Sequence, residues 1–235
     1  MKLHFAILLF LLYGLFSLYF TSWLKQKKLV HTVYTRKIFH LLIFTAAGLI
    51  MLVWGTMHVF IFGFIISCLI IFTIIRGRKS SFFQAIARNS DMTHSSLNII
   101  LPFISTAIGG AASVLIFGKF SLVGFLISGW GDGIAEPVGA KCGLHKYKTP
   151  PWKKNANYKS LEGSASVFIV GIIAAVIALL LLEIPLKETI IIAVCCSFVS
   201  TITEAFSLPG TDNLTVQFAA SGTAYLFFFQ LMPNI

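Results

Sequence analysis

The chain has 235 residues, 57% of them hydrophobic and 11% charged, with a mean hydropathy of +0.89. That balance excludes an ordinary soluble domain and describes a polytopic membrane protein: a single transmembrane domain over residues 1–235, with no room for a sizeable soluble one. The net charge of +10 does not argue for nucleic acid, because the lysines and arginines fall between apolar runs; anionic lipid headgroups or phosphorylated small molecules fit better.

A bilayer core takes roughly 20 apolar residues of helix, and eight segments qualify, so the expected fold is all-α with about eight transmembrane helices. The first, about 3–24, is too long for the apolar region of a signal peptide and lacks a small-residue cleavage site, so it reads as a retained helix. The second (38–55) and third (57–75) join tightly around Gly55-Thr56. The fourth (97–117) and fifth (120–140) join at Gly118-Lys119. The sixth (163–183), seventh (188–206) and eighth (213–232) complete the set. The loops after the odd-numbered spans hold fifteen lysines and arginines against three on the other side. By the positive-inside rule the odd loops are cytoplasmic and both termini outside. The four cysteines form no framework: Cys68, Cys195 and Cys196 lie in apolar runs and Cys142 in a glycine-rich segment, with no metal spacing to histidine.

Eight acids remain to be explained. Glu183 and Glu188 flank a short turn, and Asp91 lies in the polar loop NSDMTHSS. The other five sit near the cytoplasmic ends of spans five to eight, and an acid within a span is costly unless it serves a site. In GWGDGIAEPVG, residues 129 to 139, Asp132 lies roughly 20 Å along its helix from Lys119. Glu136 is one turn further on the same face. Two carboxylates on one face suit a hard divalent cation such as Mg²⁺ bridging a triphosphate; the alternative is glycine packing with the acids paired to lysines. In YKSLEGS, residues 158 to 164, Lys159 and Ser160 precede Glu162 and Gly163 at a helix start. That is an anion site with its dipole and free N–H groups, or simply a capped helix beginning with a flanking lysine. In TEAFSLPGTDNLTV, Pro209 and Gly210 make a turn and Asp212 or Asn213 can cap the last span. Glu204 stands at the negative end of a helix and calls for a cation or basic partner. In TRKIFH, residues 35 to 40, Arg36 and His40 share a face. They read as flanking residues at the interface, or as a phosphate or headgroup contact with His40 a proton acceptor. By topology all four segments meet one membrane face.

At these residues the chain resembles the CTP-dependent lipid kinases: dolichol kinase, the phytol and farnesol kinases, and the yeast-type diacylglycerol kinase. Their CTP motif, DxxAxxxGxxxG followed after a variable gap by KxxEG, is matched by Asp132, Ala135, Gly139 and Gly143, then Lys159, Glu162 and Gly163. Arg36, Lys37 and His40 look like the family's early basic cluster, and Glu204 through DNLTV like its late acidic motif. The likeness covers about residues 36 to 218. It departs at Gln217, where the family often has proline, and in the unusually basic linker HKYKTPPWKKNANY.

The resemblance implies transfer of the γ-phosphoryl group of CTP to the hydroxyl of a polyprenol, a phytol-like alcohol or diacylglycerol. Asp132 would hold Mg²⁺ with Glu136 or Glu162 assisting, and Lys159, Ser160 and the following helix start would hold phosphates. Arg36 or Lys37 would neutralise charge, and Glu204, Asp212 or His40 would accept the hydroxyl proton. The site would face the cytoplasm, from the plasma membrane of a prokaryote or the endoplasmic reticulum of a eukaryote. Two alternatives stand beside it. A CTP:phosphatidate cytidylyltransferase would make a CDP-lipid, but its HGG and DRxD strings do not occur here. A lipid transporter would place polar groups at the midplane of two related halves. The sequence leaves the oligomeric state open.

Overall fold

The computed structural model describes residues 3–27, 32–87, 97–149, 158–208 and 210–233. Asp91, Pro209 and five of the counted basic residues (Lys2, Lys28, Arg88, Lys153 and Lys154) lie outside the described residues. The chain is an integral membrane protein, and its described residues are all-α apart from one two-stranded hairpin. Three long helices open it: α1 (Leu3–Gln26), α2 (Thr32–Trp54) and α3 (Thr56–Arg76). The join between α2 and α3 is a single residue, Gly55, at φ 75°, a left-handed conformation open to glycine at no steric cost. The short α4 (Ser81–Ile86) follows, then α5 (Leu97–Phe117).

From Gly118 the chain departs from the expected plain helix over 120–140. A 3-10 turn (Gly118–Phe120) leads to α6 (Ser121–Leu126), a π turn (Ile127–Gly131) and α7 (Asp132–Cys142). Helix is continuous through these segments, yet the chain doubles back. Gly110 and Gly124 would stand about 21 Å apart on a straight helix. Both instead abut Gln217: a Cβ at Gly110 would lie 3.6 Å from its Nε2, and one at Gly124 2.5 Å from its carbonyl oxygen. The reversal sits at Gly118, φ 53°. The chain then forms β1 (Lys146–Lys148), pairs it antiparallel with β2 (Tyr158–Ser160), and ends in α8 (Leu161–Leu181), α9 (Leu186–Phe206) and α10 (Asp212–Leu231).

Among the described residues six helical runs are long and apolar enough to cross a membrane; one of them, Ile100–Cys142, takes in most of expected span four and all of span five, and α10 is not among the six. Large side chains cover the outside, as in Phe5, Phe16 and Tyr19 of α1. Small ones let the backbones approach inside, the usual means of packing helices where lipid supplies no hydrophobic drive. Ala174, Ala175 and Ala178 of α8 meet Ala193 and Cys196 of α9 in one core with Leu122 and Ile127. A second core joins Phe10 of α1 to Phe44 of α2 and Phe62 of α3. All four cysteines are free.

Gln217 is fully buried, and neither its Nε2 nor its Oε1 has a hydrogen-bond partner among the described residues. Leaving a buried polar group unpaired costs about 1–3 kcal/mol. Gln217→Met keeps the length of the side chain and removes both atoms, so it is expected to raise the thermal unfolding midpoint of the purified protein.

Candidate functional site

The π turn delivers Asp132 to the first turn of α7, one helical turn before Glu136. Such turns widen a helix by one residue and re-aim the side chains that follow. Opposite them lies the beginning of α2. Lys37 Nζ donates to Asp132 Oδ2 at 2.7 Å and stands 3.1 Å from Glu136 Oε2. Arg36 donates to Glu136 as well. Asp132 and Lys37 are both buried, at 9% and 4% exposure. His40 Nε2 stands 3.9 Å from Asp132 Oδ2, too far for a hydrogen bond, and that buried nitrogen has no hydrogen-bond partner among the described residues.

A second ion pair lies across the site. Lys159 Nζ donates to Glu204 Oε1 at 2.5 Å and also to the carbonyl oxygen of Glu204. The acid at the negative end of α9 thus has the basic partner it calls for, and the same ammonium caps the helix. Ser160 Oγ accepts from the N–H of Gly163 at 3.1 Å, so one of the N–H groups expected to be free at the start of α8 is already taken.

Glycines let these elements close up. A Cβ at Gly143 would fall 2.3 Å from the carbonyl oxygen of Gly139 and 2.7 Å from Ser160 Oγ. One at Gly163 would fall 3.3 Å from the carbonyl oxygen of Ala135. The DxxAxxxGxxxG spacing is therefore a packing surface that seats α7 on the start of α8.

Two residues stand away from where the sequence reading puts them. Glu162, expected beside the cation, is bound instead to His145: Oε1 meets Nδ1 at 2.7 Å, and the His145 N–H points at both carboxylate oxygens. With Tyr147 OH at 2.6 Å from Ser164 Oγ, this pins the hairpin to α8. The physical cause is the strand before Glu162, which hands the chain into the helix with that side chain turned to β1. Asn213, expected as a cap, crosses to α5, donating to Thr106 Oγ1 at 2.7 Å.

Two cavities meet at these residues. The polar one, about 470 Å³, is lined by Lys37, Asp132, Glu136, Lys159, Glu204 and Asp212, with Ala135, Gly139, Ser160 and Gly163 in its wall. The hairpin adds Lys146, Thr149 and Tyr158, which the reading of the basic linker did not single out. The apolar one, about 390 Å³, is lined mainly by side chains of α2, α3 and α5. Its polar lining is Arg36, His40, Ser67, Thr106 and Asn213. Neighbours in the chain face opposite sides: Arg36 and Asn213 line the apolar cavity, Lys37 and Asp212 the polar one. The two linings touch where Arg36 meets Glu136, and His40 of the apolar lining stands 3.9 Å from Asp132 of the polar one.

Asp132 and Glu136 also fit a magnesium site. One ammonium already touches both carboxylates. Among the described residues no three His, Cys, Asp or Glu side chains gather closely enough to hold an ion. Magnesium is ordinarily held by one or two carboxylates, its coordination completed by water and substrate phosphates, and Asp132 and Glu136 are the two such an ion would use here.

The fold and these cavities define a class: an integral membrane protein with a polar, lysine- and carboxylate-lined pocket set against an apolar chamber. Comparison with known proteins adds a relative. The chain is 30% identical over 109 residues to a protein named phytol kinase from Synechocystis, a match covering 45% of this chain. The matched segment spans 43% of that relative's length. No family model matches the chain.

Proposed function

We propose that the protein is a lipid kinase, which moves the γ-phosphoryl group of a nucleoside triphosphate, CTP by the likeness of its motifs, to the hydroxyl of a membrane lipid alcohol. The observation that carries this reading is the pair of cavities back to back, with His40 and Asp132 at the partition. A triphosphate suits the polar side and an acyl or prenyl tail the apolar side, and the reacting groups meet between them. The named activity of the Synechocystis relative agrees with it.

In this reading Lys159, Lys37 and Lys146 receive the phosphates, and Asp132 and Glu136 hold Mg²⁺. Bound there, Mg²⁺ would supply positive charge against the phosphates. Lys37 gives up one carboxylate to meet the γ-phosphoryl group, and Arg36 steadies Glu136. The lipid hydroxyl lies against His40, whose Nε2 takes its proton as the oxygen bonds to phosphorus. The bond to the bridging oxygen breaks and the nucleoside diphosphate departs. Alignment and charge neutralisation supply most of the acceleration, since a loose phosphoryl transition state asks for little covalent help.

The test uses purified protein in lipid nanodiscs, CTP labelled at the α or the γ phosphorus, unlabelled Mg²⁺, and a panel of prenols, phytol and diacylglycerol. The γ label should pass to one lipid with CDP released. Passage of the α label would instead mark a cytidylyltransferase, and no transfer of either label would refute the enzyme reading. Glu162 acts as a positioning residue through the hairpin. Glu162→Gln should raise KM for the nucleotide about tenfold with a smaller change in kcat; an equal fall in kcat at unchanged KM would place Glu162 at the reacting phosphate instead.

A further inference from the structure

The apolar cavity is open at one side. Phe60, Gly63, Phe64 and Ser67 line it from α3, and their spacing puts them on one helical face. Ala107, Gly110 and Ala111 line it from α5. Gly63, Phe64 and Ala107 are exposed as well as lining, Phe64 at 71%. A Cβ at Gly63 would meet nothing within 4 Å. Residues that line a cavity and face outward mark its opening. This one lies about 10 Å along α3 from Thr56, within a helix long and apolar enough to span the membrane, so it faces hydrocarbon rather than water.

From α2, α5 and α10 the lining includes the polar Arg36, His40, Thr106 and Asn213. His40 Nε2 is buried there with no hydrogen-bond partner among the described residues, and its ring lies 4.1 Å from that of Phe44. The shape is therefore a side door, an apolar chamber and one buried nitrogen in its wall that wants a hydroxyl. A volume of about 390 Å³ sits near the floor of the roughly 300–1,000 Å³ that ligand sites occupy. It accommodates one hydrocarbon chain and lacks space for a glycerol carrying two.

We infer that the gap between α3 and α5 at Gly63 and Ala107 is a lateral portal, through which single-chain lipid alcohols enter from the bilayer and two-chain lipids do not. The chain passes between the helices and its hydroxyl comes to rest against His40. This rests on the lipid-kinase reading for what happens next, but the portal itself is a binding claim.

The experiment uses the full chain in nanodiscs and a phytol analogue carrying a diazirine in its tail and an alkyne tag. After irradiation, labelled peptides are mapped by mass spectrometry. Labelling is expected on the lining faces of α3 and α5, reduced at least tenfold by excess unlabelled phytol and unchanged by dioleoylglycerol. Gly63→Trp, and Ala107→Trp from the opposite side of the door, should each cut it at least tenfold. Ile75→Trp, 78% exposed on the same α3 and outside the cavity, should leave it unchanged. Unfolding midpoints establish that each variant is folded. Competition by dioleoylglycerol, label spread evenly over the outer helix faces, or full labelling in both folded door variants would overturn the portal. Labelling as expected without phosphoryl transfer to any lipid would overturn the kinase reading and leave the portal standing.

Discussion

Asp132→Asn is expected to lower phosphoryl transfer by about 10³-fold, on the order of the loss of one preorganised charge contact, while the protein remains folded. Asparagine keeps the shape of the side chain and its acceptor toward Lys37. What it removes is the charge that balances Lys37 across 2.7 Å and, with Glu136, supplies hard oxygen donors. The same substitution leaves the apolar cavity untouched, since Asp132 lines only the polar one. Lipid labelling by the photoactivatable phytol should therefore persist in the variant. Turnover within tenfold of the parent protein would remove Asp132 from the reaction.

Lys159→Met should be destabilising. Glu204 is 7% exposed, and Lys159 supplies its ion pair and caps the end of its helix. Removing one partner of a fully buried pair costs about 3–5 kcal/mol because the other charge is left uncompensated, and the partly exposed Lys159 puts the expected loss below that range. Lys159→Met combined with Glu204→Gln removes both charges and should recover most of the unfolding midpoint. Activity should not recover, because a phosphate contact has gone with the lysine. A double variant as unstable as the single would show that the pair's charge is not what matters. A double variant with restored turnover would refute the phosphate role of Lys159.

Much of the polar site is legible in the chain itself. Acids are so few, eight in the chain, that Asp132, Glu136 and Glu204 stand out, and helical spacing puts Asp132 and Glu136 on one face. Partnership is not legible. Arg36 finds Glu136 and Lys37 finds Asp132 over roughly a hundred residues of chain, a distance that local periodicity does not report. Glu162 misleads for a related reason: its place after Lys159 reads as one motif, but strand and helix turn the two side chains to different neighbours. The π turn before Asp132 carries no signature beyond its glycines, and the hairpin hides in a linker whose basic composition resembles any cytoplasmic loop. The apolar chamber is hardest to see. It is made by small residues, Gly63 and Ala107 among them, that are unremarked inside membrane spans, and only the packing of three helices shows that they face a common space.

The central claim is that nucleotide and lipid are held at once, on opposite sides of the partition at His40 and Asp132, and that the phosphoryl group crosses it directly. Initial rates measured over a grid of nucleotide and phytol concentrations test this most plainly. Double-reciprocal lines that intersect, with no labelled protein trapped after γ-labelled nucleotide alone, are the expected result. Parallel lines with an isolable phosphoprotein would contradict it, because the phosphoryl group would then wait on the protein between two separate visits.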